Sequence, residues 1–412
     1  MNRRIRDRLM TADEAVKWVR PGKRVVASGF LHQPSRVLRA LQALVDDGQL
    51  PPEPLTPFRN SFPRRSFTRK GPDVAILHAA AIFSDGFVPA LAVEESPWLA
   101  ANAHEIILEW NVNWPSSLIG VHDIYADTVV DDAHIVPLCQ PADRIGTPYI
   151  PLDWTKVVGV VKVDDDLSFV SPIEESANES RMANHLHEFL LSELRKGLLP
   201  IDMPPIHAAC TGETGAILRA LTQSGQQRIA LFTDIIDEVA LDLLQSESLS
   251  VASGSTLAVT QATAGDLSRT LKQSENRLIL RPRQTITAPD VLRRLGIISI
   301  NTAQEVDLYG RAHLQSDRWD SANTGQDFAR QSRLSIVLLP PAPPEAGVSR
   351  VVPRVAQADL SEREVDVIVS EHGIADLRGI SAAKRAERII SGWAREPQQP
   401  DLAAMVFANR RK

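Results

Sequence analysis

The sequence predicts an α/β fold with two tandem open domains. Short apolar runs rich in β-branched residues, such as 73–77 and 297–300, have the length of strands, and segments of helical periodicity separate them. Alternating strands and helices are typical of mostly parallel sheets. A chain of 412 residues is too long for one compact core. A Pro-bearing segment at 197–205 follows a helical stretch, so we expect domains at 1–200 and 201–412.

The predicted elements of the first domain start with a capped helix, because Thr11 and Glu14 have the spacing of a capping box. The elements are helix 11–19, strand 24–30, helix 34–44, strands 73–77, 105–109 and 157–161, and helix 180–196. Residues 51–72 are rich in Pro, Arg and Phe without a helical or strand period, which predicts a solvated loop.

The second domain is predicted to contain strands separated by helices and glycine turns. The elements are a turn and helix at 206–218, strand 228–232, a helical pattern at 236–244, strands around 248–259 and at 278–280, helix 289–296, strands 297–300, 334–339 and 365–369, and helix 381–390. This alternation again indicates an α/β domain.

Composition limits the classes of function. The net charge of −6 and pI near 6.0 argue against nucleic acid as a partner. No apolar run has membrane-spanning length and the N-terminus lacks a secretory hydrophobic region, so we expect a cytoplasmic protein without a membrane partner. Cys139 and Cys210 are far apart in sequence and predict neither a disulfide framework nor a metal motif.

Asp234 is the first candidate for a functional residue. It ends the apolar run 228–232 and precedes the helical pattern at 236–244. In open α/β sheets, ligands bind beyond the carboxyl ends of the strands, where a carboxylate can act as a nucleophile. The alternative is that Asp234 caps the following helix, since Asp is a favoured capping residue.

Several segments, in order along nearly the whole chain, resemble the acetyl-CoA hydrolase/transferase family, in particular its succinyl-CoA:acetate CoA-transferase branch. These segments are GVHDIY at 120–125, DRIGTPYI at 143–150, SINTAQEVDLYG at 299–310, DFAR at 327–330 and SEHGIADLRG at 370–379. The resemblance implies tandem open α/β domains of the CoA-transferase type, with the active site at their interface. It also implies an acyl-CoA thioester and a small carboxylic acid as substrates. We further expect no metal, no permanently bound cofactor, and a homodimer.

The resemblance also assigns the site residues. The family's nucleophilic glutamate falls on Asp234, and Glu371 matches a second acid that positions the acyl group or the acceptor carboxylate. The implied contacts to substrate and CoA fall on Ala209, Cys210, Thr211, Gly212, Glu213, Thr287, Asn323, Thr324, Gly325 and Pro344.

The sequence departs from the family at several of these positions. Ala209 and Thr211 replace glycines of a turn that forms an oxyanion hole, and the glycine-rich loops at 321–326 and 344–346 are reduced. Side chains at such turns narrow the channel for CoA, which predicts weaker CoA binding. Asp234 is one methylene shorter than glutamate, and a misplacement of about 1 Å can cost about 10²-fold in rate.

Two hypotheses therefore stay open. The first is a working CoA-transferase or acyl-CoA hydrolase with Asp234 as the covalent nucleophile. The second is a degenerate or repurposed family member that binds a ligand or another substrate. Cys210 as a replacement nucleophile has the alternative of a structural thiol, and Glu213 and Glu238 have that of surface or capping residues.

Overall fold

The computed structural model describes residues 2–29, 31–53, 55, 71–125, 135–167, 169–171, 177–209, 211–223, 229–314, 322–341 and 350–393, without the side chains of 177–180, 212, 223, 322–323 and 392–393. The chain divides into two compact units. The first contains Met1–Ser171, Ile235–Glu238 and Ser253–Ala288, and the second contains Pro172–Asp234, Val239–Ala252 and Pro289–Lys412. These units have different bounds from the predicted domains, 1–200 and 201–412. The predicted domains stay a prediction.

The helices are α1 Arg3–Arg6, α2 Ala12–Ala15, α3 Ser35–Asp46, α4 Ser96–Asn102, α5 Ala177–Arg195, α6 Gly212–Gln223, α7 Glu238–Gln245, α8 Gln261–Ala264, α9 Leu267–Gln273, α10 Arg283–Ile286, α11 Pro289–Leu295, α12 Ala322–Gln331 and α13 Ala382–Trp393. The strands are β1 Val25–Ala27, β2 Val74–Ile82, β3 Gly86–Pro89, β4 Glu105–Asn111, β5 Ile150–Pro151, β6 Val157–Val163, β7 Ile206–Ala208, β8 Ile229–Phe232, β9 Ile235–Ile236, β10 Leu249–Gly254, β11 Thr256–Leu257, β12 Leu278–Leu280, β13 Ile298–Asp307, β14 Ala312–Leu314, β15 Leu334–Leu338, β16 Val351–Val352, β17 Val367–Ser370 and β18 Gly373–Asp376.

The first unit is built on a mixed sheet with β2 at its centre. Strands β4 and then β6 extend the sheet in parallel on one side of β2. On the other side, β1 pairs in parallel with the first part of β2, and β3 pairs antiparallel with the last part. Val37 and Leu41 of α3 pack on this sheet against Val25 and Val74, so helix and sheet share one apolar core.

A buried ion pair lies among the polar groups of the first unit. Arg281 is 0% exposed and pairs with Asp123, which is 1% exposed. Asp123 also accepts hydrogen bonds from the backbone N–H groups of Ile145 and Gly146 at 3.0 and 2.7 Å. Burial lowers the pKa of Arg281 to about 10, whereas the Asp123 carboxylate favours its charged form. This pair joins the 120–125 and 143–150 segments to residue 281.

The second unit is built on a mostly parallel sheet. Its strand order is β10, β8, β7, β13, β15, β17 and β18. Strands β8, β7, β13, β15 and β17 pair in parallel, and β18 turns back antiparallel to β17. Strand β13 continues beyond this sheet and pairs with β14 and β16. Parallel strands have their carboxyl ends at one edge, and this edge carries the candidate site.

Both halves are α/β, as predicted. Helices α3, α5 and α11 and strands β4, β6 and β12 lie where the sequence predicted them. The prediction of a turn and helix at 206–218 missed β7, because Ile206-His207-Ala208 is only three residues long with a polar centre. Strand β13 extends to Asp307, beyond the predicted end at 300, through residues that are largely polar. Most of the predicted loop at 51–72 lies outside the described residues.

The buried ion pair generates a prediction for stability. Asp123→Asn keeps the size of the side chain but leaves the Arg281 charge without its partner, so we expect the free energy of unfolding to fall by about 3–5 kcal/mol. Urea denaturation followed by circular dichroism measures this change. The control is Asp7→Asn, which removes a highly exposed pair with Arg3 and should change stability by less than about 1 kcal/mol. Equal effects of the two variants would contradict the role given to the buried pair.

Candidate functional site

The order of strands in the second unit creates a crevice beside β7. The chain passes from β7 through α6 to β8 on one side, and it later enters β13 on the other side of β7. Because the two neighbours of β7 are reached in opposite directions, the carboxyl end of β7 is a topological switch point, where open α/β sheets bind ligands. The predicted turn at 209–213 follows β7 directly.

Asp234 lies at this edge, two residues after the end of β8, and is 3% exposed. It is the last residue of its segment in the second unit. The alternative that Asp234 caps the next helix is wrong, because β9 intervenes and α7 begins at Glu238. A capping residue directly precedes the first turn of its helix.

His207 of β7 is a neighbour of Asp234 that the sequence analysis missed. The Thr233 hydroxyl donates to the Ala208 carbonyl at 2.9 Å, so it accepts from Nδ1 of His207 at 3.0 Å. The imidazole also stacks on the ring of Phe328, with 3.8 Å between the ring centroids. A polar residue at the centre of a short apolar run was the signal that could have revealed it.

The pKa of His207 is lowered to about 4, mainly because the imidazole is buried. The negative charge of Asp234 and the Asn301 side chain act in the opposite direction. His207 is therefore neutral at pH 7. A neutral imidazole beside Asp234 brings no positive charge to that side chain.

The turn after β7 is held by its own hydrogen bonds. The N–H of Ala209 donates to Ile300 at 3.0 Å, and the N–H of Thr211 donates to the Thr214 hydroxyl at 3.1 Å. The Thr211 hydroxyl lies 3.1 Å from that of Thr302 on β13, so this side chain faces the sheet. Cys210 lies outside the described residues.

The start of α6 is the part of this turn that is suited to an anion. Gly212 and Glu213 are the first two residues of α6, and the first N–H groups of a helix lack carbonyl partners within the helix. These N–H groups, together with the positive end of the helix dipole, can stabilise an oxyanion. The N–H groups of Ala209 and Thr211 already have acceptors within the protein, so the predicted oxyanion hole stays a prediction for 212–213.

The start of α12 packs closely on β13. Asn301 donates from Nδ2 to the Gly325 carbonyl at 3.3 Å. A Cβ atom at Gly325 would lie 2.4 Å from Oδ1 of Asn301, so glycine is required for this contact. Thr324 is 2% exposed. The Asn323 side chain and all of Pro344 lie outside the described residues.

Glu371 occupies the turn between β17 and β18 and is 10% exposed at its side chain. Its Oε1 lies 3.5 Å from Nε2 of His372. The negative charges of Glu371 and Glu213 both favour the protonated form of Arg350. These two predicted residues therefore interact electrostatically with the same guanidinium. Arg350 was also missed by the sequence analysis.

Two other candidates belong to the first unit. Thr287 belongs to the first unit, where its hydroxyl donates to the Arg283 carbonyl at 2.9 Å and ends α10. Glu238 accepts from the N–H and hydroxyl of Thr260 at 2.8 and 2.6 Å, and also from the Thr263 hydroxyl. Glu238 thus holds the start of α8, which is a structural role, as the sequence analysis allowed.

The second unit brings Asp234, the 209–213 turn, Gly325 and Glu371 to the carboxyl edge of one sheet. No cluster of three or more His, Cys, Asp or Glu residues suited to a metal ion occurs within the described part of the chain. Likewise, none of the helices described here is long and apolar enough to cross a membrane. The groups at this edge include the buried Asp234 carboxylate after β8 and the N-terminus of α6 after β7.

Comparison with known proteins places these features in context. The model of the acetyl-CoA hydrolase/transferase C-terminal domain matches residues 265–405. The acetyl-CoA hydrolase of Candida albicans is 31% identical over 401 residues, covering 92% of this chain and 76% of the relative. The succinyl-CoA:acetate CoA-transferase of Clostridium kluyveri is 30% identical over 345 residues, covering 81% of this chain and 63% of the relative.

Solved structures share the fold at lower identity. The 4-hydroxybutyrate CoA-transferase of Porphyromonas gingivalis matches with a TM-score of 0.68 and 20% identity over 99% of this chain and 98% of its own. RipA of Yersinia pestis matches with a TM-score of 0.73 and 15% identity over 97% of both chains. At this identity the likeness shows the fold alone.

The burial of His207 generates a prediction for pH dependence. Between pH 6.5 and pH 4 the unfolded chain binds a proton at this residue and the folded chain does not, so stability is lost as the pH falls through this window. We expect His207→Gln to remove about 2 kcal/mol of that loss between pH 7 and pH 4.5. Urea denaturation at pH 7 and pH 4.5 measures it.

The exposed His104 provides the control, because His104→Gln should leave the pH dependence of stability unchanged. An unchanged pH dependence in His207→Gln would contradict the neutral, buried state of His207.

Proposed function

Because the chain belongs to the acetyl-CoA hydrolase/transferase family, we propose that it transfers CoA from an acyl-CoA to a carboxylic acid or hydrolyses the acyl-CoA. The reaction passes through a thioester between CoA and the Asp234 side chain. The observation that carries this proposal is the buried Asp234 carboxylate at the carboxyl edge of the sheet, beside the switch point at β7. Acyl-CoA and a small carboxylic acid are the proposed partners of the site.

In the first half of the reaction, a carboxylate oxygen of Asp234 attacks the thioester carbonyl of the acyl-CoA. The carbon–sulfur bond breaks, which gives a mixed anhydride and the CoA thiolate. The thiolate then attacks the Asp234 carbonyl carbon, releases the substrate's carboxylate and leaves the enzyme–CoA thioester. We assign stabilisation of the oxyanions that form in these steps to the N–H groups of Gly212 and Glu213, which begin α6.

In the second half, the acceptor determines the product. A carboxylate acceptor attacks the Asp234 thioester and repeats the sequence in reverse, which gives a new acyl-CoA and free Asp234. Water as the acceptor gives CoA and free Asp234, which is net hydrolysis. Glu371, at the end of β17, is the acid proposed to position the acyl group or the acceptor.

His207 supports this chemistry by staying neutral. A cationic imidazole would pair with Asp234 and stabilise its unreacted carboxylate, which raises the barrier to attack. Burial disfavours that cation, and stacking on Phe328 fixes the ring. The alternative of a family member that binds without turnover has no stronger support from the residues described here.

The proposal is tested by intact mass spectrometry. After incubation with acetyl-CoA or succinyl-CoA, we expect an adduct equal to CoA minus water, which hydroxylamine removes because it cleaves thioesters. Asp234→Asn should give no adduct, since the amide is a poor nucleophile. An adduct on both proteins would show that another residue reacts. No adduct on the wild-type chain at saturating acyl-CoA would contradict the proposed function.

The length of the nucleophile gives a second prediction. Asp234→Glu restores the reach of the family's glutamate, so we expect turnover to rise, by up to about 10²-fold. Asp290→Glu is the matched control, because it adds the same methylene to a partly exposed residue of α11. Unchanged or lower turnover in an Asp234→Glu variant that still binds acyl-CoA would mean that the pocket is adapted to aspartate.

A further inference from the structure

Arg350 is fixed to β13 at its backbone and only loosely at its side chain. Its carbonyl accepts the N–H of Val306 at 2.9 Å, and the next residues form β16, which pairs with β13. Its Nη1 lies 3.4 Å from the Ala303 carbonyl and 3.3 Å from the Gln304 carbonyl. These long contacts orient the guanidinium and use only one of its nitrogens.

The opposite edge of the guanidinium meets no acceptor among the described residues. Nε is buried and forms no hydrogen bond in the described structure. Nη2 likewise forms no hydrogen bond or ion pair with any residue that the structure describes. The Nε and Nη2 donors of arginine are parallel and match the two oxygens of a carboxylate, and a buried donor without an acceptor is costly. This edge therefore has the geometry of a carboxylate subsite.

The carboxylates of Glu213 and Glu371 favour the protonated guanidinium but form no ion pair with it in the described structure. Burial lowers the pKa of Arg350, whereas the charges of Glu213 and Glu371 act against that shift. Neither carboxylate forms an ion pair with Arg350, and the ion-pair contact of Glu371 is with His372. The positive charge is thus maintained at a distance, and its donors remain available to a ligand.

Arg350 belongs to the same carboxyl edge as Asp234. The charges that act on its guanidinium are those of Glu213, at the start of α6, and Glu371, at the end of β17. Both residues follow parallel strands of the sheet that also carries Asp234 after β8. An acid held at Arg350 would therefore lie along the edge at which we propose that Asp234 reacts.

We propose that the Nε–Nη2 edge of Arg350 binds the carboxylate of the acceptor acid. The inference rests on the proposed function, because it assigns a subsite for the second half of that reaction. A carboxylate bound by two N–H donors keeps further lone pairs on both oxygens. One of these attacks the carbonyl of the Asp234–CoA thioester, the carbon–sulfur bond breaks and the thiolate leaves. The thiolate then attacks the acid's carbonyl carbon, which frees Asp234, with no net gain of protons or electrons.

Water needs no such subsite, so hydrolysis and transfer should respond differently to the loss of Arg350. In Arg350→Gln, we expect the KM for acetate or succinate as acceptor to rise about ten- to a hundredfold, since a charge-assisted bidentate contact is lost. The yield and rate of the enzyme–CoA thioester should stay within about twofold. Transfer is followed as new acyl-CoA, hydrolysis as CoA released without acid, and the thioester by intact mass.

Three further variants sharpen the test. Arg350→Lys keeps the positive charge but lacks the two parallel N–H donors of the guanidinium. Its KM for the acceptor acid should therefore lie between those of the wild type and Arg350→Gln. Glu213→Gln removes a charge that repels the acceptor, so it should lower the KM. Arg354→Gln, an exposed arginine on the same segment, is the matched control and should change neither value.

The outcomes separate this inference from the proposed function. Absence of a thioester on the wild-type chain would remove the proposed function itself. A wild-type thioester with an unchanged acceptor KM in Arg350→Gln would overturn the Arg350 subsite alone. Equal loss of thioester formation and transfer in both Arg350→Gln and Arg350→Lys would also overturn it, because Arg350 would then act before the acceptor binds.

Discussion

The parallel pairing of β13 with β7 is the constraint on which the candidate site depends. Its register aligns Ile298 with Ile206 and Ile300 with Ala208, so that β13 runs past the end of β7 beside the turn at 209–213. A slip of one residue would turn every side chain of β13 to the opposite face of the sheet. Asn301 and Thr302 would then lose their contacts with Gly325 and Thr211. The site is therefore a property of the sheet register rather than of one loop.

Short polar side chains stabilise the carboxyl edge from within. The hydroxyls of Thr211, Thr214 and Thr302 form one hydrogen-bonded group, and Thr233 links His207 to the Ala208 carbonyl. Buried polar atoms are tolerated when they have partners, and such networks favour a single arrangement. The Thr211 side chain, at a position where the resemblance implies glycine, contacts β13 through its hydroxyl.

The sequence was sufficient to predict those parts of the fold in which the hydrophobic period is strong. Strand β12 and helix α11 have the predicted positions, because β12 is an unbroken apolar run and the apolar residues of α11 recur at helical spacing. Strand β7 could not be predicted, since three residues with a histidine at the centre give no period. Strand β7 is defined by its pairing with β8 and β13, which are more than 20 residues away in sequence.

The candidate site was predictable to a similar degree. Asp234 was found because a strand-length run ends next to it, and Glu371 because its segment resembles the family. His207 and Arg350 were missed. No local pattern in the sequence shows that His207 is buried and stacks on Phe328. Similarly, no local pattern shows that Nε of Arg350 is buried without an acceptor among the described residues. Their significance comes from contacts between distant segments, which one sequence without its fold does not specify.

The rigidity of this edge determines how an aspartate at 234 can act. The Gly325–Asn301 contact leaves no space for a methyl group, and packed interiors transmit such constraints with little relaxation. In the proposed reaction, the acyl group would approach Asp234 more closely than a glutamate, because the aspartate side chain is about 1 Å shorter. A cation such as Arg350, which interacts with both Glu213 and Glu371, reduces the repulsion that a second carboxylate meets on that approach. The proposed aspartate nucleophile and the arginine edge without an acceptor among the described residues are therefore consistent with one proposed site.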